Sequence, residues 1–110
     1  MDYRVSKSGD YTIVELAGDV DLSCSPDARK AILRCLERSE HTLVDMSGVT
    51  YIDSSGVASL VEGYQTAKKK SLRFGLLGVS EAAMSVLQLA RLDKVFPIHA
   101  TLQQRLDADV

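Results

Sequence analysis

Two consecutive serines, set between an aspartate and a glycine, form the stretch of this sequence best suited to chemistry: Asp53-Ser54-Ser55-Gly56. A strand-like apolar segment precedes them and a segment with helical periodicity follows, so we expect the hydroxyls to lie at a helix N-terminus. Backbone N–H groups and the positive end of the helix dipole converge there and favour an anion. The sequence therefore predicts a site where a serine could be phosphorylated and dephosphorylated.

A simpler role for Ser54 or Ser55 is to cap the helix, because serine and aspartate are the usual N-cap residues and a cap is worth about 1 kcal/mol. The combination of two hydroxyls, an adjacent carboxylate and Gly56 directly behind them favours a functional site. Glycine inside a helix costs roughly 1 kcal/mol relative to alanine. Its missing side chain would let another surface approach the backbone closely.

Catalysis by a serine nucleophile has little support in the sequence. The stretch is not a G-x-S-x-G motif, and the two histidines, His41 and His99, fall in loop-like surface positions with no spacing that places a base beside Ser54. A phosphate-binding loop of the GxxxxGK type does not occur in the sequence. We predict that the chain is not an enzyme and needs no cofactor.

Acidic and thiol side chains elsewhere show no metal-ligand spacing. Asp19 and Asp21 could form a carboxylate pair, but the glycine and serine beside them are typical of an ordinary loop. Cys24 and Cys35 form no CxxC pair and have no histidine at ligand spacing. We therefore expect two free thiols, as in a reducing compartment, and no metal site.

Length, composition and charge limit the function classes. The chain of 110 residues fits one domain, residues 1–110, with 45% hydrophobic and 25% charged residues. A net charge of −2 gives no basic surface for nucleic acid or anionic lipid. No apolar run approaches the roughly 20 residues of a membrane span and no signal peptide is evident, so we predict a cytoplasmic protein without membrane insertion.

The elements that must position the serines alternate between strands and helices. A hairpin opens the chain, and strands separated by helices then favour parallel pairing with right-handed crossovers. The expected fold is α/β: a mixed sheet of four to five strands, with an N-terminal antiparallel hairpin and about four helices packed on it. The predicted strands are 3–6, 11–16, 42–46, 72–77 and a short edge strand at 95–98, and the predicted loops are 17–21 and 47–52. The predicted helices have Ser25, the serine pair, Ser80 and Thr101 at their starts. In the last helix, Leu102 and Leu106 are expected to point inward.

The segment LAGDVD at residues 16–21 and the segment VDMSGVTYIDSSGVASL at residues 44–60 resemble a STAS domain, and specifically the bacterial anti-sigma factor antagonists. The similarity covers nearly the whole chain, and Asp-Ser-Ser-Gly is its most specific part. The resemblance implies that the first serine after the aspartate, Ser54, is the phosphoacceptor of a cognate anti-sigma factor kinase. It also implies a phosphatase that restores the unmodified serine.

Partner switching is the mechanism that the resemblance implies. The unphosphorylated form would bind the anti-sigma factor and release the sigma factor, and phosphorylation would block this binding. A phosphate adds about −1.5 to −2 charge, which at a helix N-terminus should disturb the partner surface and not the fold. The predicted partner-binding residues are Asp21, Asp53, Ser54, Ser55, Gly56 and Ser59.

An alternative stays open, because STAS domains also occur as cytosolic subunits of ABC-type lipid transporters and as cytoplasmic domains of anion transporters. In the transporter subunits, too, the helix after the corner docks onto a partner protein. Exposed apolar residues on that helix would favour a transporter complex. Ser59 and Glu62, predicted on its outer face together with Gln65 and Lys69, favour a polar, transient interface with an anti-sigma factor.

Overall fold

The computed structural model describes all 110 residues of the chain. Strands and helices alternate after an opening hairpin, as predicted. The elements are β1 (Asp2–Ser8), β2 (Tyr11–Val20), α1 (Ser25–Glu37), β3 (His41–Ile52), α2 (Ser54–Lys69), β4 (Phe74–Leu77), α3 (Glu81–Leu89), β5 (Ile98–His99) and α4 (Leu102–Ala108). None of the four helices combines the length and the apolar composition that crossing a membrane requires.

All five strands form one sheet in the order β1-β2-β3-β4-β5. β1 and β2 are antiparallel, and every other neighbouring pair is parallel. This confirms the predicted mixed sheet with an antiparallel hairpin at one edge. The main core is a cluster of 20 buried residues, drawn mostly from β2, β3, β4 and the helices α1, α2 and α3. α1 packs against α2 as well as against β2 and β3.

The other face of the sheet is covered in part by α4. Leu43 precedes the main-core residue Val44 on β3, and successive strand residues point to opposite faces. Leu43 accordingly joins a second, small cluster with Tyr11 and Leu77, against which Leu102 of α4 packs. The predicted inward position of Leu102 is confirmed.

Arg105 takes the inward position of α4 that the sequence assigned to Leu106. Its guanidinium is buried and donates hydrogen bonds to the backbone carbonyl of Phe74 at 3.0 Å and to the Asp109 carboxylate at 3.1 Å. Gly75 leaves the necessary space, because a Cβ at this position would lie 2.3 Å from Arg105 Nη1. The prediction for Leu106 is wrong: its side chain is exposed, because a charged residue with a carbonyl partner on the sheet occupies the inner side.

The loops predicted at 17–21 and 47–52 are wrong, because both segments belong almost entirely to longer strands. β2 and β3 stay paired up to Val20 and Ile52, although the register shifts between Glu15 and Ala17 and again between Gly18 and Asp19. Glycine, serine and aspartate disfavour regular strands, which explains the prediction. The buried side chains of Val20 and Ile52 hold the irregular ends of the two strands in the core.

All four helices begin where the sequence predicts, but not every predicted N-cap is confirmed. Ser80 accepts a hydrogen bond from the Ala83 amide, and Thr101 accepts one from the Gln104 amide, so both are the predicted N-caps. Ser25 is not a cap: it is the buried first residue of α1, and Cys24 occupies the N-cap position without a side-chain cap bond.

The last strand and the histidines lie elsewhere than predicted. β5 covers Ile98 and His99 only and begins after Pro97, whose carbonyl accepts a hydrogen bond from the Leu76 amide at 2.9 Å. His41 begins β3, and its Nδ1 accepts a hydrogen bond from the Arg73 amide at 2.9 Å. Both histidines are half-buried strand residues and not surface loop residues.

Candidate functional site

The Asp-Ser-Ser-Gly stretch forms a corner at the end of the β2–β3 pair. β3 last pairs with β4 at Asp45 and then continues for seven residues, to Ile52, beside β2. Asp53 follows at once, and its amide donates to the carbonyl of Val20 at 3.2 Å. The corner therefore lies at one end of the sheet, where β3 passes directly into α2.

Asp53 caps α2 through its side chain. Its Oδ1 accepts hydrogen bonds from the amides of Ser55 and Gly56 at 2.9 and 3.2 Å, and its backbone is extended, as an N-cap requires. The alternative in which Ser54 or Ser55 serves only as the N-cap is therefore wrong. The Asp53 carboxylate already binds two of the amides that could attract an external anion, those of Ser55 and Gly56.

The Asp53 carboxylate also binds the loop between β2 and α1. Its second oxygen, Oδ2, accepts a hydrogen bond from the Leu22 amide at 3.1 Å. The hydrogen bond from the Ser55 hydroxyl, reinforced by the amides of Gly56, Ser55 and Leu22, holds the pKa of the Asp53 carboxyl below its usual value against the opposing effect of desolvation. Asp53 is thus ionised at neutral pH and joins α2 to the neighbouring loop.

The two serines differ in what their hydroxyls do. The Ser55 hydroxyl is half-buried and donates to Asp53 Oδ1 at 2.5 Å. Ser54, the first residue of α2, is exposed, and its hydroxyl makes no hydrogen bond within the chain. Only Ser54 therefore presents a free hydroxyl to solvent at the corner.

Gly56 is buried at the start of α2. A Cβ here would lie 2.7 Å from Ile52 Cγ1 and 3.0 Å from the carbonyl oxygen of Val20, closer than such atoms normally come. The glycine lets the first turn of α2 pack against the ends of β2 and β3. The close approach that the sequence predicted at Gly56 is therefore made by the ends of β2 and β3 of the same chain.

Ser59 was predicted on the outer face of α2, and that prediction is wrong. Its side chain is buried, and its hydroxyl donates to the carbonyls of Ser55 at 3.1 Å and Ser25 at 3.4 Å. Burial follows because α1 packs along this side of α2. Glu62 is likewise occupied in an ion pair with Arg29 of α1. Ala58, one residue before Ser59, is exposed instead.

The loop from Asp21 to Cys24 lies beside the corner. Asp21 Oδ1 accepts hydrogen bonds from the Ser23 hydroxyl at 2.6 Å and the Ser23 amide at 3.0 Å. The Ser23 hydroxyl first, and then the Cys24 thiol and the Ser23 amide, hold the pKa of the Asp21 carboxyl below its usual value. The structure thus brings Asp21, Asp53, Ser54 and Ser55 together at one end of the sheet.

Leu22 is the residue of this loop that sequence reasoning missed. Its side chain is 74% exposed, while its amide is bonded to Asp53. A large apolar residue inside a predicted polar loop next to a candidate site was the available signal.

No histidine accompanies Ser54. His41 is the first residue of β3, whereas the corner follows the last residue of that strand. His99 lies on β5 and pairs with Leu77 on β4. Neither histidine is therefore placed to activate Ser54 as a nucleophile.

Comparisons with known proteins give a consistent result. The chain is 24% identical over 87 residues to the anti-sigma-B factor antagonist of Bacillus subtilis, covering 79% of this chain and 80% of that protein. It is 25% identical over 89 residues to the anti-sigma F factor antagonist of Paenibacillus polymyxa, covering 79% and 76%. Its structure is similar to the crystal structure of an anti-sigma factor antagonist from Mycobacterium paratuberculosis, with a TM-score of 0.87, 27% identity and coverage of 97% and 92%.

A family-wide comparison covers nearly the whole sequence. The sequence pattern of the STAS domain matches residues 2–105. Together with the sheet order and the corner geometry, this match shows that the chain belongs to the STAS domain family.

Proposed function

We propose that this chain is an anti-sigma factor antagonist that works by partner switching in the cytoplasm. In its unphosphorylated form it binds an anti-sigma factor, which is also a serine kinase, and so releases the sigma factor. Phosphorylation of Ser54 blocks the binding, and a phosphatase reverses the modification. The similarity to antagonists from three bacteria supports this role.

The single observation that carries the proposal is the difference between the two serine hydroxyls. Ser54 is exposed and unbonded, whereas the Ser55 hydroxyl is held by the Asp53 carboxylate. A kinase needs a hydroxyl that can leave the protein surface and enter its active site. Ser54 meets this requirement without breaking any hydrogen bond of the folded chain.

The electrostatics of the corner explain how a phosphate would act. A phosphoryl group adds about −1.5 to −2 charge, and two amides of the first turn of α2, those of Ser55 and Gly56, are already bonded to Asp53. The new charge would therefore lie beside the carboxylates of Asp53 and Asp21, where those two amides are no longer open to it. A partner surface that fits the small hydroxyl would have no room for the phosphate and would have to strip it of water, while the Asp53 cap keeps the fold intact.

The proposed partner surface consists of exposed and half-buried groups around Ser54. Asp21, Asp53 and Ser55 flank it at the surface. Gly56 and Ser59 are buried, so their role is to support the corner from within. The chain itself catalyses no step, since the partner kinase supplies the phosphoryl transfer.

Phosphorylation in vitro tests the site. Incubation with the cognate anti-sigma factor kinase and ATP should add one phosphate, located on Ser54 by mass spectrometry. Ser54→Ala should abolish the modification, while the neighbouring Ser55→Ala should retain it, and Ser54→Asp should weaken binding to the kinase. Phosphate on any other residue would contradict the assignment.

The transporter alternative makes a different prediction. None of the large exposed hydrophobic side chains of the chain lies on α2, whose exposed positions are Ser54, Ala58, Gln65, Lys68 and Lys69. This polar surface favours a transient partner over a permanent membrane complex. Recovery of an ABC transporter complex in a pull-down, with no kinase-like partner, would move the function to lipid transport.

A further inference from the structure

Leu22 is the most exposed large apolar residue near the corner. Its side chain is 74% exposed, which leaves most of an apolar side chain in water. Single exposed leucines are common on protein surfaces and mean little by themselves. Leu22 differs because its backbone is fixed directly to the candidate site.

The fixation comes from Asp53. The carboxylate that caps α2 through Oδ1 accepts the Leu22 amide through Oδ2 at 3.1 Å. The loop is also closed by its own hydrogen bonds, from the Ser23 amide to Asp21 Oδ1 at 3.0 Å and from the Ser25 amide to the Asp21 carbonyl at 2.7 Å. Leu22 is therefore held in place beside Ser54, with its side chain directed outward.

The charge around Leu22 has one sign. Asp19, Asp21 and Asp53 lie at this end of the sheet, and the sequence has no lysine or arginine from residue 8 to 28 or from residue 39 to 67. None of the three carboxylates forms an ion pair, because each is satisfied by amide, hydroxyl or thiol donors. An apolar side chain thus projects from an acidic surface.

We propose that Leu22 is the apolar anchor of the partner surface and that Asp53 is the positioning residue that holds it. The occupant is the anti-sigma factor of the proposed function, on which this inference rests. Its matching face would carry an apolar pocket for Leu22, bordered by basic side chains that face Asp21 and Asp53. Moving a leucine side chain from water into an apolar pocket is favourable roughly in proportion to the apolar area removed from water.

Binding measurements with matched leucine variants test the anchor. Leu22→Ala should weaken binding to the cognate anti-sigma factor kinase roughly tenfold or more, and Leu22→Met should largely restore it. Leu89→Ala is the control, since Leu89 is 87% exposed but lies at the C-terminal end of α3, away from the corner. It should leave the affinity unchanged, and all three variants should keep the wild-type melting temperature.

A second set of variants tests the role of Asp53. Asparagine can still cap α2 through its carbonyl oxygen, but its amide nitrogen cannot accept the Leu22 N–H. Asp53→Asn should therefore shift the Leu22 amide resonance in NMR spectra while α2 stays helical. A double-mutant cycle tests whether the two residues act together. The fold-loss in affinity of the variant that carries both Asp53→Asn and Leu22→Ala should be smaller than the product of the fold-losses of the two single variants.

The outcomes separate this inference from the proposed function. If the wild-type chain neither binds nor is phosphorylated by such a kinase, the proposed function is wrong and the anchor with it. If the wild type binds and Ser54→Asp weakens the binding, but Leu22→Ala binds like Leu89→Ala, only the anchor is wrong. Fully multiplicative losses in the cycle would show that Asp53 acts independently of Leu22.

Discussion

The carboxylate of Asp53 accepts hydrogen bonds from four groups: the amides of Leu22, Ser55 and Gly56 and the hydroxyl of Ser55. One side chain therefore caps a helix, fixes a loop and engages one of two adjacent serine hydroxyls. The other hydroxyl, on Ser54, is left free. At the scale of single residues, this division of roles is what selects Ser54 as the proposed phosphoacceptor.

The packing around Gly56 predicts the sign of the stability change in the variant Gly56→Ala. Helix propensity alone would make Gly56→Ala stabilising by about 1 kcal/mol. We expect destabilisation by about 1 to 3 kcal/mol instead, because the new Cβ would meet Ile52 and the carbonyl of Val20. Urea denaturation measures the change. A variant more stable than the wild type would show that the first turn of α2 is not packed as described.

At the scale of elements, α2 is placed by its neighbours on two sides. Its first turn packs against the ends of β2 and β3, and α1 packs along its flank, where Arg29 pairs with Glu62. Hydrophobic periodicity describes one buried stripe only. Contact with a second helix buries further positions, among them Ser59.

Adjacent residues of α2 give a matched pair of variants. Ala58→Glu should weaken binding to the anti-sigma factor, because it adds bulk and a carboxylate that must lose its water at an exposed position close to Ser54. Ser59→Ala should leave binding unchanged and lower the stability by about 1 kcal/mol, since it removes a buried hydroxyl with backbone partners. Calorimetric titration and urea denaturation separate the two effects. A loss of affinity in Ser59→Ala alone would contradict the assignment.

The contact between Arg105 of α4 and the sheet gives a prediction about stability. Arg105→Ala should destabilise the fold by about 2 to 3 kcal/mol, because it leaves the Phe74 carbonyl and the Asp109 carboxylate without their charged partner. Gln103→Ala, at an exposed position of the same helix, is the control and should have little effect. Hydrogen exchange should show loss of protection in α4 first. Equal effects of the two variants would contradict the proposal that Arg105 attaches α4 to the sheet.

At the scale of the whole molecule, the two faces of the sheet are stabilised differently. Helices α1, α2 and α3 cover one face with apolar side chains. On the other face, Tyr11 hydrogen-bonds Asp109, while the guanidinium groups of Arg73 and Arg105 lie over its ring at 5.0 and 5.6 Å from the centroid. This second face therefore depends on protonation states.

Stability should fall at both ends of the pH range. Hydrogen bonds from Tyr11, Ser23 and Ser55 hold the pKa values of Asp109, Asp21 and Asp53, respectively, below the ordinary 3.8. A carboxyl whose pKa is lower in the folded than in the unfolded chain stabilises the fold at any pH above its unfolded-state pKa. This stabilisation is lost as the pH falls below about 4. Burial, followed by the bond to Asp109, raises the pKa of Tyr11 above 10.0. That contribution is present below pH 10 and is lost as the pH rises further.

Urea midpoints measured from pH 2 to 11 check the loss of stability at both ends of the pH range. Asp109→Asn should make the midpoint fall less steeply with acidification, because it removes one of the shifted carboxyls. Tyr11→Phe should make the midpoint fall less steeply above pH 10. A midpoint that does not change between pH 5 and pH 2 would contradict the hydrogen bonds assigned to these carboxylates.

Local patterns were sufficient for much of the fold. The caps Ser80 and Thr101 and the opening hairpin involve residues close together in the chain, and all are confirmed. The failures share a cause. The strand character of residues 17–20, the burial of Ser59 and the inward turn of Arg105 each depend on a partner at least 30 residues away.

The sequence by itself determined the order of elements, the parallel sheet and the corner at which two serines meet a helix, because apolar periodicity and turn residues act over short distances. Only the tertiary structure decided which serine stays fully exposed and which loop lies beside it. Asp53 can accept hydrogen bonds from the amides of Ser55 and Gly56 by local geometry alone. Its hydrogen bond from the Leu22 amide requires β2 to end beside β3. The long pairing of those two strands brings an exposed leucine, two carboxylates and an unbonded hydroxyl onto one surface.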